Sequence, residues 1–407
     1  MARTHYKYIV IGCGAFGSSA AYWLSKEFPH DVLALEKFKL NHCNASSHGP
    51  SRIIRYVYQQ DYYTNIAHHA YDAWNVLEKD CGMQVFFKTG ALVIHKKSLT
   101  ETRDSYNAFK DTMLKCGKPV EVLTGPEISR RWPGFDLDED FEGVLDPSGG
   151  LVDASLANAL HVQVAERNGV TVIEECPVTK IKKEFNNTIT VTTPKGVFTC
   201  ERLICTAGPW TNNVLDGVNV KLPLTVSEEN LVYFATKNIE LYTKERFPVF
   251  LFKVGFAGYG MYGFPAYGVP CLKVGINNGG MEVHPDRRSF IPEKRRTEYT
   301  TKIVKRIFPR AVSRLYKEET CLYTMTPDND LLLDSLKSKG HPEILVAIGD
   351  GHGYKWAGYI GRMLARMAIE QKDFPELWHF RVNRPAMTNP SAKPRHGWEI
   401  AVPLVRV

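Results

Sequence analysis

The sequence predicts an α/β chain: a βαβ nucleotide-binding unit completed by strands from far along the chain, with β-rich insertions between them. Three observations predict it. A short β-rich run, Tyr6 to Ile11, enters Gly12-Cys13-Gly14-Ala15-Phe16-Gly17 and then a helical pattern from Ser18 to Lys26. Asp31 to Glu36 follows as a second buried strand ending in an acid. Two later apolar runs, Leu203 to Cys205 and Ile344 to Ile348, each lead into a glycine turn.

The remaining elements follow in order. Residues 61 to 80 read as a helix, and Val85 to His95 alternates as one strand. Glu127 to Trp132 is a short helix that ends before Pro133. Ser155 to Asn168 is helical, with Gly169 as its stop. Val170–Ile173 and Ile189–Thr193 are strands. Residues 221 to 281 are rich in aromatics and glycine without a helical period, which predicts the antiparallel sheet of a second domain. Lys294 to Phe308 and Trp356 to Glu370 are helices. Residues 381 to 407 carry Pro385, Pro390, Pro394 and Pro403 and read as a packed or loose tail. The expected division is a discontinuous nucleotide-binding domain (1–85, 150–220 and 321–380), a substrate domain (86–149 and 221–320) and that tail.

Composition excludes several classes. The chain has 407 residues, 44% apolar and 23% charged, so it can bury a large core and is not disordered. The net charge of +7 is spread thinly, with no block denser than Lys294-Arg295-Arg296, so no nucleic-acid partner is expected. Nine scattered cysteines without a C-x-x-C argue for a reducing compartment, against a disulfide frame and against a metal site. The uncharged run Tyr8–Leu24 is short for a membrane span and is weakened by its glycines. No membrane association is expected, and the expected location is cytoplasmic. A peroxisomal location stays open, although Val405-Arg406-Val407 is not the targeting tripeptide.

The glycine turn has a physical purpose. Gly12 permits the tight turn, Gly14 lets a pyrophosphate approach the backbone, and Gly17 lets helix and strand pack closely. The helix start offers free N–H groups and the positive end of a dipole. Glu36 is placed to accept hydrogen bonds from a ribose. This unit alone does not separate NAD from FAD.

Further motifs do. Ser46-Ser47-His48-Gly49-Pro50-Ser51-Arg52-Ile53-Ile54-Arg55 follows the βαβ unit, and Thr206-Ala207-Gly208-Pro209-Trp210 lies mid-chain. Tyr262-Gly263-Phe264-Pro265 precedes Leu272-Lys273-Val274-Gly275. Cys321-Leu322-Tyr323-Thr324-Met325-Thr326-Pro327-Asp328 and Gly351-His352-Gly353-Tyr354-Lys355 complete the series. In this order the chain resembles the monomeric sarcosine oxidase family, which includes pipecolate oxidase and N-methyltryptophan oxidase. The resemblance spans roughly residues 6 to 380 and is nearest the eukaryotic pipecolate and sarcosine oxidase branch.

The resemblance implies FAD extended across a glutathione-reductase-like domain, with a β-sheet domain over the flavin ring. It implies oxidation of a secondary or cyclic amino acid to an imine, with oxygen reduced to hydrogen peroxide, by a monomer. Residue by residue, it implies that Cys321 carries the flavin as a thioether and that Lys273 activates oxygen. Arg55 and Lys355 would hold the substrate carboxylate, Tyr262 and Tyr323 would line the cavity, and Arg52 and His48 would tune the flavin. The implied cofactor shell comprises Gly12, Gly14, Ala15, Phe16, Gly17, Glu36, Lys37, Ser47, Ser51, Arg52, Val178, Ala207, Gly208, Trp210, Cys321, Gly351, Gly353 and Lys355. Two departures put substrate choice in doubt. Asn277 stands where many members have histidine, and Asp350 stands in a turn that is usually uncharged. Rival readings are a flavin dehydrogenase with another acceptor, a nicotinamide-dependent dehydrogenase, and a flavin-binding module without turnover.

Overall fold

Strand His5–Ile11 lies inside an eight-stranded sheet, parallel to Val32–Leu35 on one side and to Gly196–Cys205 on the other. The computed structural model describes residues 3–253 and 260–389. Strand His341–Ile348 pairs in parallel with the end of Gly196–Cys205, so segments from both ends of the chain meet in one layer. Alternation along the first strand explains why the layer is covered twice. Tyr8 and Val10 enter a core shared with helices Ala15–Ser25, Asp61–Cys81, Ala154–Arg167 and Ala357–Glu370. Ile9 and Ile11 enter a second core with Val191, Leu203 and Val214. A strand buried on both faces reads as a continuous apolar run, as this one does.

A nine-stranded sheet forms a second body. Strand Thr225–Ala235 runs antiparallel to both Leu272–Asn277 and Arg314–Met325. Helix Lys294–Ile307 seals one face, where Ile303, Val304 and Ile307 join Phe250, Phe252 and Phe308 in an aromatic core. A three-stranded ribbon, Arg52–Ile54, Gly150–Val152 and Phe86–Lys88, completes the described strands.

Several elements differ from expectation. The run Val85–His95 is two strands in two different sheets. Phe86–Lys88 pairs with Gly150–Val152, whereas Ala91–Lys96 pairs with Phe141–Asp146 and Val249–Lys253. The chain breaks at Gly90, whose φ of +80° only glycine adopts easily. The first helix begins at Ala15, directly on the glycine turn. Helix Arg103–Lys115 was not expected; it buries mainly Tyr106, Phe109 and Met113 along a polar sequence. The tail is packed as far as it is described: Pro385–Thr388 is a short helix and Arg384 is buried. The remainder of that tail, and residues 254–259 of the expected antiparallel region, lie outside the described residues.

Candidate active site

A cavity of about 630 Å³ runs from the glycine turn to the inner surface of the nine-stranded sheet. Its first wall is the turn itself. Gly12 has φ +91°, and its missing side chain lets the Thr206 backbone approach; a Cβ there would lie 2.6 Å from the Thr206 carbonyl. The Thr206 hydroxyl contacts the carbonyls of Ile11 and Gly12, each at 3.0 Å, tying the turn to the neighbouring strand. Gly14 caps the helix without a side-chain hydrogen bond, so the helix start is open toward the cavity. Ala15 N–H donates to Ser47 Oγ at 2.9 Å. Gly17 does not line the cavity; a Cβ there would strike the Gly12 carbonyl, so its role is close packing beneath the turn.

Glu36 closes this end. Its carboxylate accepts the N–H groups of Cys13 at 2.8 Å and Phe38 at 3.0 Å, and His42 Nε2 lies 3.3 Å away. Burial alone would raise its pKa, but these hydrogen bonds hold it below the usual glutamate value. Asp286, between strand Met281–Glu282 of the nine-stranded sheet and helix Lys294–Ile307, bridges Lys37 and Trp210: Lys37 Nζ donates at 2.6 Å and Trp210 Nε1 at 2.7 Å to one oxygen. Nothing local in the sequence marks Asp286, because its partners lie far away in the chain.

The 46–55 segment forms the middle wall. Arg52 donates to the carbonyls of Ser46 at 2.6 Å, His48 at 2.7 Å and Ser51 at 2.8 Å, folding the loop around its guanidinium. Burial and the Arg52 charge push His48 down to about 3, so it is neutral. Lys273 is buried on the facing strand, with Nζ 3.3 Å from both the carbonyl and the hydroxyl of Ser51. Burial, then Arg52, lowers its pKa to about 7. Cys321 lines the same region; burial pushes its thiol up to about 11, while Arg52 and Lys273 pull the other way. This sulfur is enclosed.

Arg55, Tyr58 and Lys355 mark the far end. Arg55 lies 4.4 Å from the Tyr58 ring centre and Lys355 5.7 Å from it. Arg55 Nη1 donates to the Val57 carbonyl at 2.6 Å and Lys355 Nζ to the His352 carbonyl at 2.6 Å. Burial lowers the pKa of each, and for Lys355 the Arg55 charge lowers it further. Among the described residues neither forms an ion pair with a carboxylate within 4.0 Å. Tyr262 and Tyr323 stand nearby with their hydroxyls 3.2 Å apart. Asn277 and Asp350 also line the cavity, as do Ala15, Phe16, Ser47, Val178, Ala207, Gly208, Gly351 and Gly353. Tyr58, Phe109 and Asn278 are among the lining residues not expected from sequence.

The family described as FAD dependent oxidoreductase matches residues 7–367. The chain belongs to this family. It is a flavoprotein oxidoreductase, and the open helix start, Gly12 and Gly14 fit the dinucleotide cofactor. This oxidoreductase is 30% identical to the monomeric sarcosine oxidase of an Arthrobacter species, over 95% of this chain and 98% of that protein. It is 30% identical to the human peroxisomal sarcosine oxidase, over 92% of this chain and 95% of that protein. Its fold matches that of NikD, an unusual amino acid oxidase of nikkomycin biosynthesis. The TM-score is 0.83 at 21% identity, covering 93% of this chain and 97% of that one. Among the described residues no helix is long and apolar enough to cross a membrane.

Proposed function

We propose that this oxidoreductase oxidises an N-methylated or cyclic amino acid at its carbon–nitrogen bond, giving an imine, with oxygen as the acceptor and hydrogen peroxide as the second product. The observation that carries this reading is the pair of buried cations, Arg55 and Lys355, at one end of a cavity whose other end is the glycine turn. Two buried basic side chains without an ion-paired carboxylate have lowered pKa values, and an anion that joins them stabilises their charge. A free amino-acid carboxylate supplies that anion. Arg55 offers a planar fork and Lys355 a point charge. Sarcosine oxidase activity in the relatives agrees with this substrate class.

Bound FAD would supply the two-electron acceptor between substrate and oxygen. The protein's contribution is positional and electrostatic. Arg55 and Lys355 fix the carboxylate, which fixes the carbon–nitrogen bond relative to the middle wall. The amine must arrive uncharged, because a protonated nitrogen has no lone pair to release. The surroundings help: Asn277 is a neutral amide, His48 is neutral, and Arg55 and Lys355 disfavour a second positive charge. Tyr262 and Tyr323 bound the cavity and exclude water. Lys273 holds a proton on Nζ beside Ser51, where its charge stabilises negative charge developing on oxygen. Cys321 carries the flavin as a thioether, a reading supported by its position on the cavity wall beside Arg52 and Lys273. In this reading the shell named from sequence, apart from Gly17, holds the cofactor.

Purified protein incubated with a panel of primary, N-methylated and cyclic amino acids, with peroxide detection, tests the proposal. Peroxide formation confined to secondary amines with a free carboxylate is the expected result. Flavin that no amino acid reduces in the absence of oxygen would overturn it.

A further inference from the structure

Arg384 is buried outside the cavity, immediately before the short helix Pro385–Thr388. Its guanidinium grips both oxygens of Asp328: Nε donates to Oδ2 at 2.8 Å and Nη2 to Oδ1 at 2.7 Å. Nη2 also reaches the Asp330 carbonyl at 3.4 Å. Such a two-point contact fixes orientation as well as distance. What it fixes is the turn 326–330, closed by the Thr326 hydroxyl, which accepts Asp330 N–H at 3.1 Å and donates to the Asp330 carbonyl at 2.7 Å.

The other side of that turn holds the cavity loop. Thr326 N–H donates to Asp350 Oδ2 at 3.1 Å, and Gly351 N–H donates to Asp350 Oδ1 at 2.6 Å. The carbonyl of the next residue, His352, accepts the Lys355 ammonium at 2.6 Å. Asp350 has φ +52°, a conformation that a residue with a side chain keeps only when its surroundings impose it. The turn supplies that constraint. Charge works in the same direction. The Asp328 and Asp350 carboxylates both lie at the Thr326 hydroxyl, at 3.2 and 3.4 Å, and Arg384 sets a positive charge against Asp328.

We propose that Arg384 is a positioning residue for Lys355, acting through the turn 326–330 and Asp350 on the loop 349–355. The inference rests on Lys355 binding the substrate carboxylate. The arrangement makes one end of the substrate clamp depend on a guanidinium behind the cavity wall. It also accounts for Asp350, whose carboxylate is turned to backbone N–H groups and locks the loop.

The test uses flavin-loaded Arg384→Lys, Asp350→Asn and Lys355→Met proteins beside the wild type. Flavin content, KM and kcat are measured with the best N-methyl amino acid found in the panel. Arg384→Lys keeps the charge but loses the fork. It should retain flavin and kcat within about twofold while KM rises about tenfold, the scale of one lost charge-assisted hydrogen bond. Asp350→Asn leaves the Arg384–Asp328 pair intact and should raise KM in the same way. Lys355→Met unchanged in KM would remove the clamp reading, and this inference with it. Lys355→Met raised in KM, with Arg384→Lys and Asp350→Asn at the wild-type value, would overturn this inference alone. Parallel loss of flavin, kcat and affinity in both Arg384→Lys and Asp350→Asn would overturn it too, assigning the turn to general stability.

Discussion

Arg55 and Lys355 both face the ring of Tyr58, at 4.4 and 5.7 Å from its centre. They come from opposite ends of the chain. The parallel strands His5–Ile11, Gly196–Cys205 and His341–Ile348 all end at the cavity, which is where such sheets collect ligands. Removing one member of a buried charge arrangement costs about 2–5 kcal/mol. Lys355→Met should therefore weaken substrate binding about 30-fold or more. The check compares an N-methyl amino acid with its methyl ester. Wild type should prefer the acid strongly, and both Lys355→Met and Arg55→Met should lose that preference at unchanged flavin content. Equal turnover of acid and ester by the wild type would remove the clamp.

The role proposed for Lys273 predicts a pH dependence of the oxygen step. Burial and Arg52 bring its pKa down to about 7, so the ammonium is fully present below that pH and is lost as pH rises through it. Reoxidation of the reduced enzyme should therefore be fastest below pH 7 and fall above it. Lys273→Met should be reduced by substrate at a nearly normal rate but reoxidise orders of magnitude more slowly, with no such pH limb. Rapid mixing of reduced enzyme with oxygen across pH 6–9, an interval set about the value near 7, measures it. A loss shared equally between the two half-reactions would return Lys273 to a structural part.

The βαβ unit was legible in the sequence because its rules are local. Strand, glycine turn, helix and acid follow one another within a short stretch, and the cavity wall they build contains every glycine of the fingerprint except Gly17. The roles proposed for Arg55, Lys355 and Lys273 come only through resemblance, since nothing nearby in sequence says that Arg55 will meet Lys355. What escaped is non-local or masked by polarity. Helix Arg103–Lys115 sends Phe109 to the cavity from a run whose apolar residues are outnumbered. Val85–His95 alternates convincingly, yet Gly90 turns it from one sheet into another. The Asp286 bridge and the Arg384 grip each join residues remote in the chain, so no window of sequence contains them.

The thioether proposed at Cys321 is testable. The sulfur is enclosed and its thiol pushed up to about 11, so little of it is ionised at neutral pH before the cofactor binds. Attachment should therefore be slow and should follow cofactor binding. Apoprotein mixed with FAD in air should first hold flavin that acid precipitation releases, then convert it over minutes to hours to flavin that stays in the pellet; forming the thioether from a thiol and the flavin methyl gives up two electrons and two protons, which oxygen takes up as hydrogen peroxide. Cys321→Ala should remain at the first stage with low activity. Complete release of flavin from mature wild-type protein would sink the idea.

Gly17 and Gly14 should respond differently to alanine, although both belong to the same fingerprint. A Cβ on Gly17 would strike the Gly12 carbonyl and press on the Thr206 hydroxyl, and Gly12 sits in a turn that is itself pinned by Thr206. Backbone on backbone has no rotamer to yield, so helix Ala15–Ser25 must shift off the sheet and disturb the core around Tyr8 and Val10. A Cβ on Gly14 meets only the Ser47 hydroxyl, at 3.0 Å, and that side chain can rotate away. Its departure frees Ala15 N–H and narrows the pyrophosphate side of the cavity without touching the core. Gly17→Ala should therefore be insoluble, or melt several degrees lower even as apoprotein, since a shift of a few degrees corresponds to roughly 1 kcal/mol. Gly14→Ala should keep the melting temperature of the apoprotein and lose flavin occupancy. Soluble expression, apoprotein melting and flavin-to-protein absorbance ratio separate the two. Identical behaviour of Gly17→Ala and Gly14→Ala would mean that packing beneath the turn and access above it are not distinct functions of this loop.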